Sequence, residues 1–344
     1  MSKAQNILNL NPSLVLIPST GKTGELDSII PSDGSGDFTV TRNGNATYFD
    51  KDGILKTALP NQPRFDFDPL TGQFRGVLVE PAATNVLLNS ETPATQTRLM
   101  TAAQRTISFY GSGTVTLSGA FSATITGNAN PLIRTTFTFT PTNTNLTITP
   151  SGNVTRWQLE LGSVATSYIP TSGSQVTRPA DIIQRTNAQD LIGQEEGSLY
   201  AELNLSNITF NFFRAIFGIG SYSNGFHLLI DNPNANSQVF TFFGRLDNIN
   251  LFSPISSSNL TSSSFGRFKL LGSYKSNEYK FFINGVLIGT RTGIYSGAVL
   301  NVITLNLPTG LSGGQASQLR DSIRCVSLFK TALTDAQAIA LTTL

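Results

Sequence analysis

Apolar and polar positions alternate with a period of two through much of the chain, and the polar partner is often Thr. Thr114-Val-Thr-Leu, Ala123-Thr-Ile-Thr, Thr135-Thr-Phe-Thr-Phe-Thr and Asn145-Leu-Thr-Ile-Thr are the clearest cases. That period sends successive side chains to opposite faces of a pleated strand and predicts half-buried strands. Turn-forming Gly111-Ser-Gly, Gly127-Asn and Ser151-Gly-Asn separate them, so residues 96–180 read as a small antiparallel β-sandwich with the single tryptophan, Trp157, near its last strand. Ile169-Pro-Thr-Ser-Gly-Ser-Gln-Val-Thr-Arg-Pro closes this zone as a linker by composition.

Beyond it the strands lengthen and become aromatic: 198–205, 210–219, 226–230, 238–243, 266–274, 278–283 and 302–307. Their spacing predicts a second, larger sandwich over residues 181–344. Residues 1–95 are cut by Pro12, Pro18, Pro31, Pro60, Pro63, Pro81 and by Asp-Gly turns into short extended pieces such as Phe38-Thr-Val and Gly76-Val-Leu-Val. This zone reads as an extended segment that orders by lying against something else, other chains above all. One helix is predicted, from Thr334 as N-cap, with Gln337 three residues on completing a capping box, to about Leu341, with Leu333 and Ile339 packing it onto the sandwich.

Composition sharpens the fold class. Thr, Ser and Asn make up 104 of the 344 residues, while charged residues are 13% against the ~25% of ordinary soluble proteins. Thr fits pleated strands and Ser, Asn and Gly fit turns, so an all-β protein is expected. With 23 basic and 21 acidic residues interspersed, no field exists to collect phosphate, which argues against nucleic-acid binding. No apolar run approaches the ~18 residues of a membrane span, so membrane insertion is not expected, and Met1-Ser-Lys-Ala-Gln opens no secretory leader. The six Asn-x-Ser/Thr sequons, at Asn45, Asn145, Asn153, Asn204, Asn207 and Asn259, read as turn and strand chemistry.

Three stretches of the last zone carry a resemblance: Lys269-Leu-Leu-Gly-Ser-Tyr, then Tyr279-Lys-Phe-Phe-Ile-Asn-Gly-Val-Leu-Ile-Gly, then Ser327-Leu-Phe-Lys-Thr-Ala-Leu-Thr-Asp-Ala-Gln-Ala-Ile-Ala-Leu. This order resembles a concanavalin A-like, laminin G-type lectin domain, in which an Asn-Gly pair turns a hairpin, as turn chemistry also predicts for Asn284-Gly285. Other segments resemble tailed-bacteriophage virion structural proteins. They are Ser13-Leu-Val-Leu-Ile-Pro-Ser, Phe38-Thr-Val-Thr-Arg-Asn-Gly-Asn-Ala-Thr-Tyr, Asp52-Gly, Pro63-Arg-Phe-Asp-Phe, Gly76-Val-Leu-Val-Glu-Pro-Ala-Ala-Thr-Asn-Val-Leu, Gln158-Leu-Glu-Leu-Gly-Ser-Val-Ala-Thr-Ser-Tyr-Ile-Pro-Thr and Thr177-Arg-Pro-Ala-Asp. The resemblance implies two antiparallel sandwiches, the first carbohydrate-binding-module-like and the second a laminin G/concanavalin A-like jelly roll, behind an extended N-terminal virion-docking segment. It also implies a location in the virion after assembly in the bacterial host cytoplasm, in a tail fibre, head fibre or capsid decoration. No heptads supply a fibrous shaft, which leaves a compact surface element open. Expected partners are further copies of the chain, a trimer as in many phage appendages, other virion proteins and a host surface glycan.

Catalytic chemistry finds little purchase. His227, the only histidine, lies in the apolar run Gly225-Phe-His-Leu-Leu-Ile and reads as a strand histidine. Gly310-Leu-Ser-Gly-Gly matches a nucleophile pattern but lacks the strand-to-helix setting that chemistry needs. No Glu-x-Asp-x-x-Glu is present, and the acid pairs Asp66/Asp68 and Glu195/Glu196 read as solvated or Arg-paired. Cys325, the single cysteine, reads as a buried inert thiol. The expectation is a protein that is not an enzyme and needs no cofactor. Calcium, which laminin G-type domains often bind, would take Asp231 and Asp247, with Asn232, Asn234, Asp33 and Asp37 as further oxygen donors. Glycan stacking would take Tyr222, Tyr274 and Tyr295, with Tyr279 a further ring. Beside the structural reading stand a glycan-binding adhesin and a polysaccharide depolymerase, the latter requiring acids assembled from distant loops.

Overall fold

In the computed structural model, which describes residues 3–18, 24–205, 214–234, 237–260, 266–295, 299–305 and 321–344, the alternating segments pair into two large antiparallel sheets and a smaller sandwich. The chain is all-β apart from short helices. Alternation works as expected in Gly225–Asn234, where Phe226, Leu228 and Ile230 enter the main core, and in its partner Ser237–Leu246, where Phe240 and Phe242 do. Asn284 and Gly285, at φ 47° and 84°, turn the hairpin between Glu278–Ile283 and Val286–Arg291 in the left-handed geometry such turns require.

The first large sheet runs Val286–Arg291, Glu278–Ile283, Gly266–Lys275, Gly197–Leu205, Asp321–Phe329, Phe74–Val79, Phe65–Phe67, with Leu14–Leu16 also on Asp321–Phe329. The second runs Glu25–Leu26, Phe38–Thr41, Ile182–Thr186, Val302–Thr304, Arg214–Gly220, Gly225–Asn234, Ser237–Leu246, Ile249–Asn250, with Ile255–Ser256 also on Ser237–Leu246. The core between them holds residues from both ends of the chain, such as Leu14, Phe38, Val77, Phe226 and Ile323, all 0% exposed.

The described residues of 1–95 therefore depart from the extended docking arm expected of that zone. Leu14–Leu16 aligns with Val326–Leu328, Thr39–Thr41 with Ile182–Gln184, and Val77–Val79 with Asp321–Ile323. The short apolar pieces do need a partner, but the partner is the chain's own larger sandwich. The part called a linker is likewise structured: Val176–Arg178 pairs with Ala83–Asn85.

The smaller sandwich packs the sheet Thr135–Phe139, Arg105–Tyr110, Thr155–Leu161 on the sheet Ala123–Thr126, Thr114–Gly119, Asn145–Ser151, Gln96–Leu99. Its core contains Ile107, Phe109, Leu117, Ile148, Trp157 and Leu159. The C-terminal helix, Asp335–Thr342, has the capping box: Thr334 Oγ1 accepts from Gln337 N at 3.3 Å, and Thr334 N donates to Gln337 Oε1 at 2.9 Å. Leu333 is buried as expected, but Ile339 is 40% exposed; Ala338, Leu341 and Thr342 form the buried face. Ala338 and Leu341 pack with Cys325, Phe282 and Ile7 of a further short helix, Lys3–Leu8, which no pattern in the sequence announced. No described helix is long and apolar enough to cross a membrane.

Candidate functional site

Strand ends from both large sheets and from the two-stranded ladder of Ala83–Asn85 and Val176–Arg178 meet at one point and deliver charged side chains to it. Arg42 follows Phe38–Thr41, Arg64 precedes Phe65–Phe67, Glu80 follows Phe74–Val79, Arg178 ends Val176–Arg178, and Asp181 precedes Ile182–Thr186. None is more than 3% exposed. Arg42 Nη1 donates to Asp181 Oδ1 at 2.8 Å, and Arg64 Nη2 donates to Asp181 Oδ2. Arg64 Nη1 donates to Glu80 Oε2 at 2.7 Å, and Arg178 Nη2 lies 3.6 Å from the same oxygen. Glu160, on the outer face of Thr155–Leu161, is 1% exposed and raises the charge preference of Arg178. Glu160 is bonded to Thr166 and acts on Arg178 from beyond ion-pairing distance, so three arginines are set against Glu80, Asp181 and this more distant carboxylate; the formal charges cancel, the condition under which buried charge is tolerated.

Most of the remaining donors are satisfied, although the Nε groups of Arg64 and Arg178 are buried without a hydrogen-bond partner among the described residues. Arg42 reaches the carbonyls of Gly44, Leu59 and Gln62, Arg64 that of Thr47, and Arg178 those of Pro81 and Pro179. Burial alone would raise the Glu80 carboxyl, but Arg178, Arg64 and two bonds from Ser167 outweigh it and hold Glu80 far below the usual carboxylate range. Asn85 fastens the segment after Glu80 to the smaller sandwich. Its Nδ2 donates to the carbonyls of Trp157 and Ile169 at 3.1 and 3.0 Å, and its Oδ1 accepts from Leu87 N and Leu159 N, both at 3.1 Å.

Arg42, Arg64, Glu80, Asn85, Glu160, Ser167, Arg178 and Asp181 all fall within the segments that resemble phage virion proteins. Nothing local in those segments marks their charged residues as one cluster. Each looked like an ordinary surface charge beside a Pro or a turn, and the available signal was their recurrence at strand ends.

A cleft of about 370 Å³ opens beside the junction, between the hairpin Ala46–Phe49/Leu55–Ala58, the outer face of the three-stranded sheet and the segment 163–168. Thr136 and Thr138 face it from Thr135–Phe139 because Phe137 and Phe139 turn into the core. Thr138 Oγ1 pairs with Thr106 Oγ1 at 2.9 Å. Tyr110 lies at its end, its ring edge-on to Phe49 at 6.4 Å, with the Arg134 and Arg156 guanidiniums each 5.9 Å from its centroid. Asp66 lines the cleft, accepts from Phe49 N at 3.2 Å and lies 3.6 Å from Arg75, which also binds Asp68 at 2.8 Å. Burial raises the Asp66 carboxyl above its ordinary value against the pull of Arg75. Asp66 is thus Arg-paired as expected, but buried rather than on the surface.

The residues proposed from sequence lie elsewhere. Tyr274 is 1% exposed, stacks on Phe226 at 4.1 Å and donates to Gly193 O at 2.5 Å; Tyr295 is 8% exposed, edge-on to Phe226. Both are core rings and offer no face to a sugar, as is Tyr279, stacked on Phe252. Tyr222 is half-buried, and Arg245 covers its ring at 4.2 Å. Asp231 pairs across from Val239, while Asp247 turns the far end of the same hairpin at φ 49°, beyond the Gly225–Arg245 pair. The two are therefore not brought together to share calcium. The side chains of Asn232 and Asn234 lie outside the described residues. Asp33 closes an Asx turn onto Ser35 N at 2.9 Å. Asp37 has its carboxylate within 4.8 Å of those of Glu25 and Asp27, a cluster that could hold a cation.

His227 is 1% exposed, packs against Phe243 at 5.1 Å, and burial pushes it down to about 4. Cys325 is buried, Glu195 and Glu196 sit in a bend, and Gly310-Leu-Ser-Gly-Gly lies outside the described residues.

No protein-family model and no curated protein sequence matches the chain. Among solved structures it is similar to the leech intramolecular trans-sialidase complexed with 2,7-anhydro-Neu5Ac, at 18% identity and TM-score 0.37, over 46% of this chain and 24% of that one. It is also similar to the Ruminococcus gnavus IT-sialidase CBM40 bound to α2,6 sialyllactose, at 16% identity and TM-score 0.35, over 46% of this chain and 91% of that one. A third is domain 4 of AbnA, a GH43 extracellular arabinanase from Geobacillus stearothermophilus, in complex with arabinotriose, at 14% and 0.33, over 53% and 82%. The chain thus spans about a quarter of the trans-sialidase. Likeness of this degree concerns the arrangement of strands and carries nothing about ligands.

Proposed function

We propose that the chain is a structural protein of a tailed-bacteriophage particle that holds a lectin-like sandwich at the particle surface and binds carbohydrate without cleaving it. The observation that carries this reading is the convergence of the phage-like segments on the neutral buried junction. They form a keystone that fixes the smaller sandwich against the larger, which is the geometric work of a display element. Carbohydrate binding is supported by the cleft, where Thr hydroxyls, a Tyr edge and charged groups stand together as sugar hydroxyls require. Further virion proteins and additional copies of the chain, in a trimer, are the proposed assembly partners.

One observation favours a second reading, polysaccharide hydrolysis: Asp66 and Glu80 line the same cleft with their acidities pushed in opposite directions. Yet Glu80 accepts from Arg64, Ser167 Oγ and Ser167 N at 2.7, 2.6 and 2.7 Å, which leaves it a poor nucleophile or base. Incubation of the full chain with host envelope polysaccharide separates the two. Retention of polysaccharide without new reducing ends is expected. Sustained release of reducing ends that Asp66→Asn abolishes would overturn the non-catalytic reading, and failure to retain any polysaccharide would overturn the binding one.

A further inference from the structure

The cleft beside the junction contains one cation whose charge nothing nearby answers. Of its charged lining residues, Glu80 is consumed by Arg64 and Arg178, and Asp66 by Arg75, which also binds Asp68. Arg134 is different. Among the described residues it has no carboxylate within ion-pairing distance, and its Nη1 is spent on the neutral carbonyl of Thr166. Its Nε and Nη2 are enclosed and make no hydrogen bond in the structure. Those two nitrogens form the side edge of the guanidinium, where two parallel N–H groups match the spacing of two oxygens of one planar anion. A buried donor pair of this kind costs free energy until it is satisfied. The Tyr110 ring, whose centroid lies 5.9 Å from the guanidinium carbon, does not neutralise it.

The surroundings narrow the chemistry further. Thr136 and Thr138 present hydroxyls along one wall, and Phe49 and Tyr110 supply ring edges at the end. The volume falls at the lower end of the ~300–1,000 Å³ typical of small-molecule sites. Hydroxyl donors and acceptors around a single forked cation suit a polyhydroxylated ligand carrying one planar carboxylate.

We propose that the cleft between the hairpin Ala46–Ala58 and the three-stranded sheet is a saccharide-binding site selective for acidic sugars, with Arg134 taking the sugar carboxylate on its Nε/Nη2 edge after a small rotation. The proposal rests on the carbohydrate-binding reading and adds to it the site and the ligand class. It moves the expected binding surface from the tyrosines of the larger sandwich to the joint between the two bodies.

The test uses the full chain on an array of purified oligosaccharides in three matched sets: uronic-acid-bearing, the same oligosaccharides after carboxyl reduction, and sulfate-bearing. Wild type is expected to prefer the uronate set over its reduced counterparts by about tenfold or more, the scale of a charge-assisted forked contact. Arg134→Gln should erase that preference, and Arg134→Lys should restore only part of it, since an ammonium lacks the fork. Thr136→Trp, at an exposed position, should fill the cleft and lower binding with the fold intact, even where the Arg134 variants fold poorly. Equal binding to uronate and reduced sets, preference for sulfate, or a uronate preference that survives Arg134→Gln and Thr136→Trp overturns this inference while carbohydrate binding stands. Binding to none of the three sets overturns the inference and the carbohydrate reading together.

Discussion

Replacing Asp181 with Asn should destabilise the protein more than any exposed acid substitution, because it removes one charge from a neutral buried set. Asp181 accepts from Arg42 Nη1 at 2.8 Å, from Arg64 Nη2 and from Glu80 N at 2.9 Å. Asparagine preserves the volume but turns two hydrogens toward donors, and leaves the six-member cluster with a net positive charge out of water. Removing one partner of a buried pair costs about 3–5 kcal/mol, most of it the penalty on the charges left behind. At roughly 2 °C of midpoint per kcal/mol, the low end of the range for larger domains, the melting temperature should fall by about 6 °C or more. Two probes locate the damage: far-UV circular dichroism reports the whole chain, and the single Trp157, which donates to Leu88 O at 3.1 Å, reports the smaller sandwich. Both transitions should move down together if the junction couples the two bodies. Asp52→Asn is the control, since Asp52 pairs with Lys51 at a surface where both side chains are more than half exposed, and it should stay within ~0.5 kcal/mol of wild type. A midpoint for Asp181→Asn as close to wild type as that of the control would refute the reasoning.

Acidification should weaken the fold in a defined order. Neutral His227 is favoured in the folded state, with its pKa near 4 against 6.5 ordinarily, so stability is complete above about pH 6.5 and is lost as pH falls toward 4, by about 3 kcal/mol at ~1.4 kcal/mol per pH unit. The pH dependence of chemical denaturation checks this, and His227→Gln should flatten the curve between those limits. Glu80, depressed when folded, contributes fully above about pH 5 and adds a loss at lower pH; Asp66, raised when folded, acts in the opposite sense there. Gly218→Ala should cost about 1–3 kcal/mol in the same measurement, because the added Cβ would fall 2.2 Å from His227 Nδ1 on the paired strand; an unchanged midpoint would contradict that placement. Limited proteolysis of the isolated chain should spare Phe38–Thr41 and residues 65–79, whose strands pair within the larger sandwich, and rapid cleavage there would contradict the pairing. Light scattering at micromolar concentration should give a trimer, and a folded monomer would remove that part of the proposed assembly.

The strands were legible because apolar alternation marks them wherever one face is buried, as in Thr135–Phe139 and Glu278–Ile283. The C-terminal helix was legible from Thr334 and Gln337. Long-range pairing was not. Nothing local in Leu14-Val-Leu says that its partner is Leu328, more than three hundred residues away, so a strand read as a docking piece belongs to the chain's own core. The binding tyrosines failed for a related reason: Tyr274 and Tyr295 are as suited to a core as to a sugar, and only the second sheet reveals which they are. The junction was hidden by its own alternation, since Gln158 and Glu160 sit at polar positions that look solvent-facing. They are buried at 0% and 1% because the segment 163–169 folds across that face.

The most direct test of the proposed role is to locate the chain on the intact particle by cryo-electron microscopy of purified phage, combined with peptide mass spectrometry of the same preparation. The account predicts stoichiometric copies in the particle, with density for two joined sandwiches at its surface. Purified particles that lack the chain, while the host lysate retains it, would contradict it.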